Sequence, residues 1–180
     1  MKFTVGKQDG YTANRRFSDE IMQEVCRCLG PMVLRPASHE LDTQEATDLV
    51  MLDVKDIAIG VRVRRAHQFA HPKDKEFTIR SRCRGHKTEL DKIREGMGDW
   101  LFYGFANKIG GFHRWTVIDL DVFRGFDSSS DPHDIPNSDG TSFKAYWLPK
   151  LVTMNPGIIV PGGIDDEWRQ ELWSLSRDLA

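Results

Sequence analysis

Residues 57–65 read IAIGVRVRR, and residues 76–82 read EFTIRSR. The first stretch begins as an apolar strand bound for a core, then places three arginines in four positions. Side chains alternate along a strand. Ile57, Ile59, Val61 and Val63 therefore share one face, and Arg62 and Arg64 share the other with Ala58 and Gly60. In the second stretch Phe77, Ile79 and Ser81 alternate against Thr78, Arg80 and Arg82. With the two strands side by side, four arginines stand on one sheet surface. The other surface, including Ile59, Val61, Phe77 and Ile79, is buried under helices.

Working outward, Ser18 is a candidate N-cap for a helix over 18–29. Ile21, Met22, Val25 and Leu29 make its apolar stripe, and Gly30-Pro31 is a stop signal. TDLVML (47–52) is a short apolar run, and DVKD (53–56) reads as the turn of a hairpin into IAIGVRVRR. KTELDKIREG (87–96) reads as a helix with Leu90 and Ile93 inward and a cap near Thr88 or His86. Glycines in GMGD (96–99) turn the chain into WLFYGFA (100–106), a buried strand, and RWTVIDLDVF (114–123) adds another whose end turns helical. Strand, helix, strand is the pattern of a crossover between parallel strands. The class is therefore α/β or α+β, with a mixed central sheet and flanking helices.

Residues 125–142, GFDSSSDPHDIPNSDGTS, read as a polar linker or loop. The expected organisation is a mixed-sheet core over 1–124, this linker, and a C-terminal extension over 143–180. LVTMNPGIIVPGG is expected to hold short strands. DDEWRQELWSLSRDLA is a terminal helix capped by Asp165 or Asp166. Trp168, Leu172, Leu175 and Leu179 share its apolar face, which serves core packing or a homodimer surface.

The 180 residues are 39% hydrophobic and 29% charged, enough for one core of useful size. No apolar run approaches the roughly 18 residues of a membrane span. MKFTVGKQDGYTANRR lacks the apolar stretch of a signal peptide, so the expected location is cytoplasmic. Cys26, Cys28 and Cys83 have no CxxC spacing and read as structural or incidental thiols, ahead of a zinc site with His67, His71 or His86. The net charge of −2 conceals a split: residues 60–95 carry eleven Lys or Arg against five Asp or Glu, which is +6, and the remainder is −8. That split marks a localised basic surface.

Clustered guanidinium groups repel unless neutralised. Carboxylates such as Glu40, Asp42, Glu45 and Asp48 are one source of compensation. Phosphates are the other, because the arginine fork pairs with them in bidentate fashion. Arg62, Arg64, Arg80 and Arg82 are thus the candidate nucleic-acid-binding residues, with DNA preferred to RNA. Phosphodiester hydrolysis would further need a divalent ion held by carboxylates. Asp48 and Glu89 are the candidate Mg²⁺ or Mn²⁺ ligands, and Lys92, on the same helical face as Glu89, is the third candidate catalytic residue. Asp119 and Asp121 are weaker candidates for the same metal.

The sequence of elements around TDLVML and IAIGVRVRR resembles the core of the PD-(D/E)XK, or restriction-endonuclease-like, nuclease superfamily, over roughly residues 17–123. Thr47-Asp48 stands for its PD element. Where that family reads E-x-K, this strand reads Arg62-Val63-Arg64, and the resemblance implies that the acid has moved to Glu89 on the following helix, with Lys92 beside it. The stretch from EFTIR through TELDKI to GDWLFYG is also similar to small proteins encoded in phage and prophage genomes, which implies action in a host cytoplasm. Two functions compete. One is a metal-dependent nuclease with an atypical site. The other is a non-catalytic protein that uses the same basic face on nucleic acid or on a host nucleoprotein complex. A third reading makes the Trp-rich C-terminal helix an interaction surface.

Overall fold

The WLFYGFA segment forms β5 (Trp100–Ala106) at the centre of the molecule. Its side chains are apolar on both faces, and Leu101, Phe102, Tyr103 and Phe105 are all at most 2% exposed. A strand of this kind needs cover on both sides. The computed structural model describes residues 7–36, 49–51, 57–65, 75–126 and 129–179. Within them β5 pairs in parallel with β3 (Ile59–Arg64) and antiparallel with β6 (Phe112–Asp119), and β9 (Ile159–Ile164) joins the far side of β6. The resulting four-stranded mixed sheet has the order β3-β5-β6-β9.

A second, antiparallel sheet has the order β4-β8-β7, from β4 (Glu76–Arg82), β8 (Ser142–Trp147) and β7 (His133–Pro136). A short antiparallel pair joins β1 (Leu34–Pro36) to β2 (Leu49–Met51). The described helices are α1 (Lys7–Val33), α2 (Glu89–Arg94), α3 (Leu120–Phe126), α4 (Leu148–Met154) and α5 (Asp166–Arg177). The class is mixed α/β. No helix of the described residues is long and apolar enough to cross a membrane.

The two faces of β5 head two apolar clusters. Phe102 packs with Val25 of α1, Val117 and Val160. Leu101, Tyr103 and Phe105 face the larger cluster, which takes in Phe77 and Ile79 of β4, Leu90 and Ile93 of α2, Phe123, Tyr146, Leu151, Trp168 and Leu172. Phe77 stacks on Tyr146 with ring centres 5.2 Å apart and meets Phe123 edge-on at 5.6 Å. Each such side chain, fully buried, contributes about 1.5–3 kcal/mol.

Several expectations hold. β3, β4, β5 and β6 lie where alternation and apolar runs put them, β6 does turn helical at Leu120, and Phe77 and Ile79 are completely buried. Asp165 caps α5, accepting the Trp168 N–H at 2.9 Å, and Trp168 and Leu172 are spent on the chain's own core.

Other expectations are corrected. α1 begins at Lys7, with Ser18 in its interior, and runs past Gly30-Pro31 to Val33. Proline in a last turn forfeits a single N–H bond. β2 pairs with β1, not with β3. β3 and β4 belong to different sheets, so the parallel crossover joins β3 to β5 with β4 and α2 both inside it. Ile59 is only half-buried and Val61 is 37% exposed, because among the described residues β3 is an edge strand with a neighbour on one side only. Residues 133–136, read as linker, are the strand β7, and β8 and β9 of the 143–180 segment each enter one of the two large sheets. The joining Asn137–Thr141 turn has Gly140 at φ +80°, a conformation that favours glycine.

Candidate functional site

The arginines of β3 stand on the same face as Leu101, Tyr103 and Phe105, because parallel register sets Arg62 beside Tyr103 and Arg64 beside Phe105. That face looks toward the second sheet. Across the gap, Arg80 of β4 lies directly opposite Phe143 of β8 in antiparallel register, so the two side chains share a face. The separate sheets therefore still bring three of the four arginines together. The guanidinium carbons of Arg62, Arg64 and Arg80 lie 5.2, 5.3 and 5.5 Å from the centre of the Phe143 ring. Arg82 is exposed at the end of β4 and does not take part in this contact.

Each guanidinium near the ring gains about 0.5–2 kcal/mol from its quadrupole. Against this stands mutual repulsion. No two of the three carbons can be more than about 11 Å apart, since all lie within 5.5 Å of one point. At an effective dielectric of about 20, each pair then repels by at least about 1.5 kcal/mol.

Internal compensation is partial. Glu89 pairs with Arg62, with side chains 30% and 19% exposed, and its Oε2 also accepts the Arg80 backbone N–H at 3.3 Å. Arg64 donates to the Tyr103 hydroxyl at 3.0 Å and to Thr78, two neutral partners. Among the described residues neither the Arg80 guanidinium nor Lys92 forms an ion pair, and the Nε of Arg62 is buried with no hydrogen-bond partner. Asp139 is an acid close enough to feel Arg80. Its carboxyl is held below the ordinary range first by hydrogen bonds from the Thr141 hydroxyl and backbone, and further by Arg80.

Arg62, Arg80, Glu89 and Lys92 line a groove of about 610 Å³ bounded by β3, the end of β4 and α2. Arg62, Arg80, Lys87 and Lys92 supply positive charge, Glu89 the negative, and Cys83 and His86 line the same groove. Gly60 forms part of the wall, and a Cβ there would come to 3.3 Å from Leu101.

The short α2 is fixed at both ends, which sets where Glu89 and Lys92 stand. At its start Thr88 and Asp91 form a reciprocal capping box. At its end Gly96 N–H bonds to Ile93 O and Met97 N–H to Lys92 O, both at 3.0 Å, the paired closure of a Schellman motif. Gly96 has φ +91° as that motif requires. Arg124 of α3 then donates to Ile93 O at 2.8 Å and to Gly98 O at 2.6 Å.

Of the sequence candidates, Arg62, Arg80, Glu89 and Lys92 share the groove, and Arg64 stands behind it against Phe143. Asp48 lies outside the described residues, as do Glu40, Asp42, Glu45, His67 and His71. Glu89 is committed to Arg62, and no group of three His, Cys, Asp or Glu that could hold a metal ion occurs among the described residues. Asp119 instead accepts the Val122 N–H at 3.0 Å at the start of α3, and Asp121 pairs with Arg124 at 2.5 Å. The three cysteines are free thiols. Cys26 is exposed, and burial pushes half-buried Cys28 up to about 11.

Sequence reasoning missed Phe143. Its signal was present: Asp139-Gly140 between HDIP and SFKAYW is a hairpin turn between two runs with strand character. No family model, curated protein or solved structure matches the chain.

Proposed function

We propose that the protein binds nucleic acid by its phosphates through the groove between β3, β4 and α2, without itself needing to be a catalyst. The observation that carries this reading is the trio of guanidinium groups around Phe143, with one carboxylate beside it and Lys92 across the groove. A bound phosphate relieves the repulsion that the fold has otherwise left in place. It also receives charge-assisted bonds from groups with no internal ion pair, each worth about 1.5–3 kcal/mol.

The test is fluorescence anisotropy with labelled DNA and RNA. Arg62→Ala combined with Arg80→Ala should weaken binding by about ten- to a hundredfold, since a charged contact of that size is worth one to two decades. Melting temperatures should show the variant folded. Unchanged affinity in a folded double variant places the basic surface elsewhere.

Hydrolysis on a restriction-endonuclease-like core is the second reading. It is favoured by Glu89 and Lys92 lining the groove with Arg62 and Arg80. It adds Asp48 as the further acid. Its expected outcome is cleavage that requires Mg²⁺ or Mn²⁺, stops with EDTA and is abolished in Asp48→Asn. A wild type that cuts no nucleic acid with any divalent ion removes this reading and leaves the binding one standing.

A further inference from the structure

Three guanidinium groups converge on Phe143, and two of them line the groove together with Lys92, which bears on the phosphate it fits. Phosphates along a strand are single charges strung out at about 3.4 Å of rise each. A surface that tracks them spreads its cations along a line. Here three guanidinium carbons lie within 5.5 Å of one ring centre, and Lys92 lines the same groove as two of them. Arg62 is balanced by Glu89, and Lys87 by Glu95 at 2.7 Å. Among the described groove residues this leaves Arg80 and Lys92 without an ion pair, and Arg64 behind them with only hydroxyl partners.

Arg80, which Asp139 offsets without an ion pair, and Lys92 line one groove, and two negative charges on one group match them. A phosphomonoester supplies them: it carries about −1.5 to −2 at neutral pH and offers three strong acceptor oxygens. An internal phosphodiester carries one charge and has two of its oxygens esterified. The groove has room for such a group together with the nucleoside that bears it.

We infer that the groove recognises the terminal phosphate of a nucleic-acid strand, with Arg80 and Lys92 as the residues that select the dianionic end over the internal backbone. This rests on the nucleic-acid reading above and narrows it from backbone to strand end. Arg62, held by Glu89, serves as a positioned donor. Phe143 keeps the guanidinium groups gathered at one point.

The test uses the full chain and internally labelled single-stranded DNA of one sequence with a 5′-phosphate, a 3′-phosphate or hydroxyls at both ends. Anisotropy should show at least about tenfold tighter binding of one or both phosphorylated forms, the equivalent of one extra charge-assisted contact. Adenosine 5′-monophosphate, used as competitor, should displace them. Arg80→Ala and Lys92→Ala, both at exposed side chains, should each reduce the preference for the phosphorylated end more than they reduce binding of the hydroxyl form. Equal affinity for all three oligonucleotides overturns the inference while leaving backbone binding intact. A preference that survives both substitutions overturns the assignment to Arg80 and Lys92. No binding of any oligonucleotide overturns both the inference and the function it rests on.

Discussion

Glu89 is the residue on which the two functional readings part. As a binding residue it is a brake: it holds Arg62 and places a negative charge where phosphate must approach. Glu89→Gln keeps the size and removes the charge. Binding of DNA should then tighten several-fold, because one repulsive contact is gone and Arg62 is released. Stability should fall by about 1–3 kcal/mol, since the mostly buried Arg62 loses its compensating charge. Anisotropy and thermal melts on one variant read both effects. In the hydrolytic reading the same change abolishes cleavage. Much at this scale was legible in advance. Alternation alone put Arg62 with Arg64, and helical spacing put Glu89 with Lys92. Alternation also put Arg82 with Arg80, but the register of β4 on β8 shifts between the two, so Arg82 lies opposite Ser142 and leaves the cluster. Phe143 was not legible as their meeting point, because 62 residues of chain separate it from Arg80 and no local pattern names a cross-strand partner at that range.

At the scale of elements, α2 depends on its caps. Six residues are too few to be helical unaided, since isolated helices in water need more than about twelve. Thr88→Ala should cost about 1 kcal/mol, as loss of an N-cap side chain does. Asp91 gives the same box a pH dependence. Its carboxyl is held below the ordinary range by hydrogen bonds from the Thr88 backbone and hydroxyl. On acidification the unfolded chain therefore takes up this proton before the folded one. The contribution is complete above the ordinary carboxylate pKa of about 4 and is lost as pH falls through the lowered folded value. The melting difference between wild type and Asp91→Asn should thus be widest at neutral pH and close toward pH 2. A constant difference across that range removes the ionised box. β5 offers a packing test. A Cβ at Gly104 would come within 2.9 Å of the Phe112 ring, so Gly104→Ala should destabilise by about 1–3 kcal/mol. The strands were readable because each satisfies a local rule. Their partners were not: β3 against β5 and β4 against β8 are decided by which apolar faces meet, a property of the assembled chain.

For the whole molecule the decisive quantity is the charge split, +6 over residues 60–95 against −8 elsewhere. A chain with net charge −2 has no general attraction for a polyanion. Binding must come from the few cations gathered in the groove, and the rest of the surface opposes any spread of contacts along a strand. Salt dependence counts those contacts, because each phosphate neutralised on a duplex contributes about −0.9 to the slope of log K against log salt. Arg80 and Lys92, with Arg62 when drawn from Glu89, give two or three contacts. The slope on duplex DNA should therefore lie between about −2 and −3 from 50 to 200 mM salt, and Arg80→Ala should make it shallower by about one. Anisotropy titrations at four or five salt concentrations measure it directly. A slope of about −6 or steeper requires contacts well beyond the groove, with Arg82 and Arg84 as the next cations along the chain. In that case the convergence of guanidinium groups on Phe143 is a feature of packing, and recognition lies along the outer edge of β4.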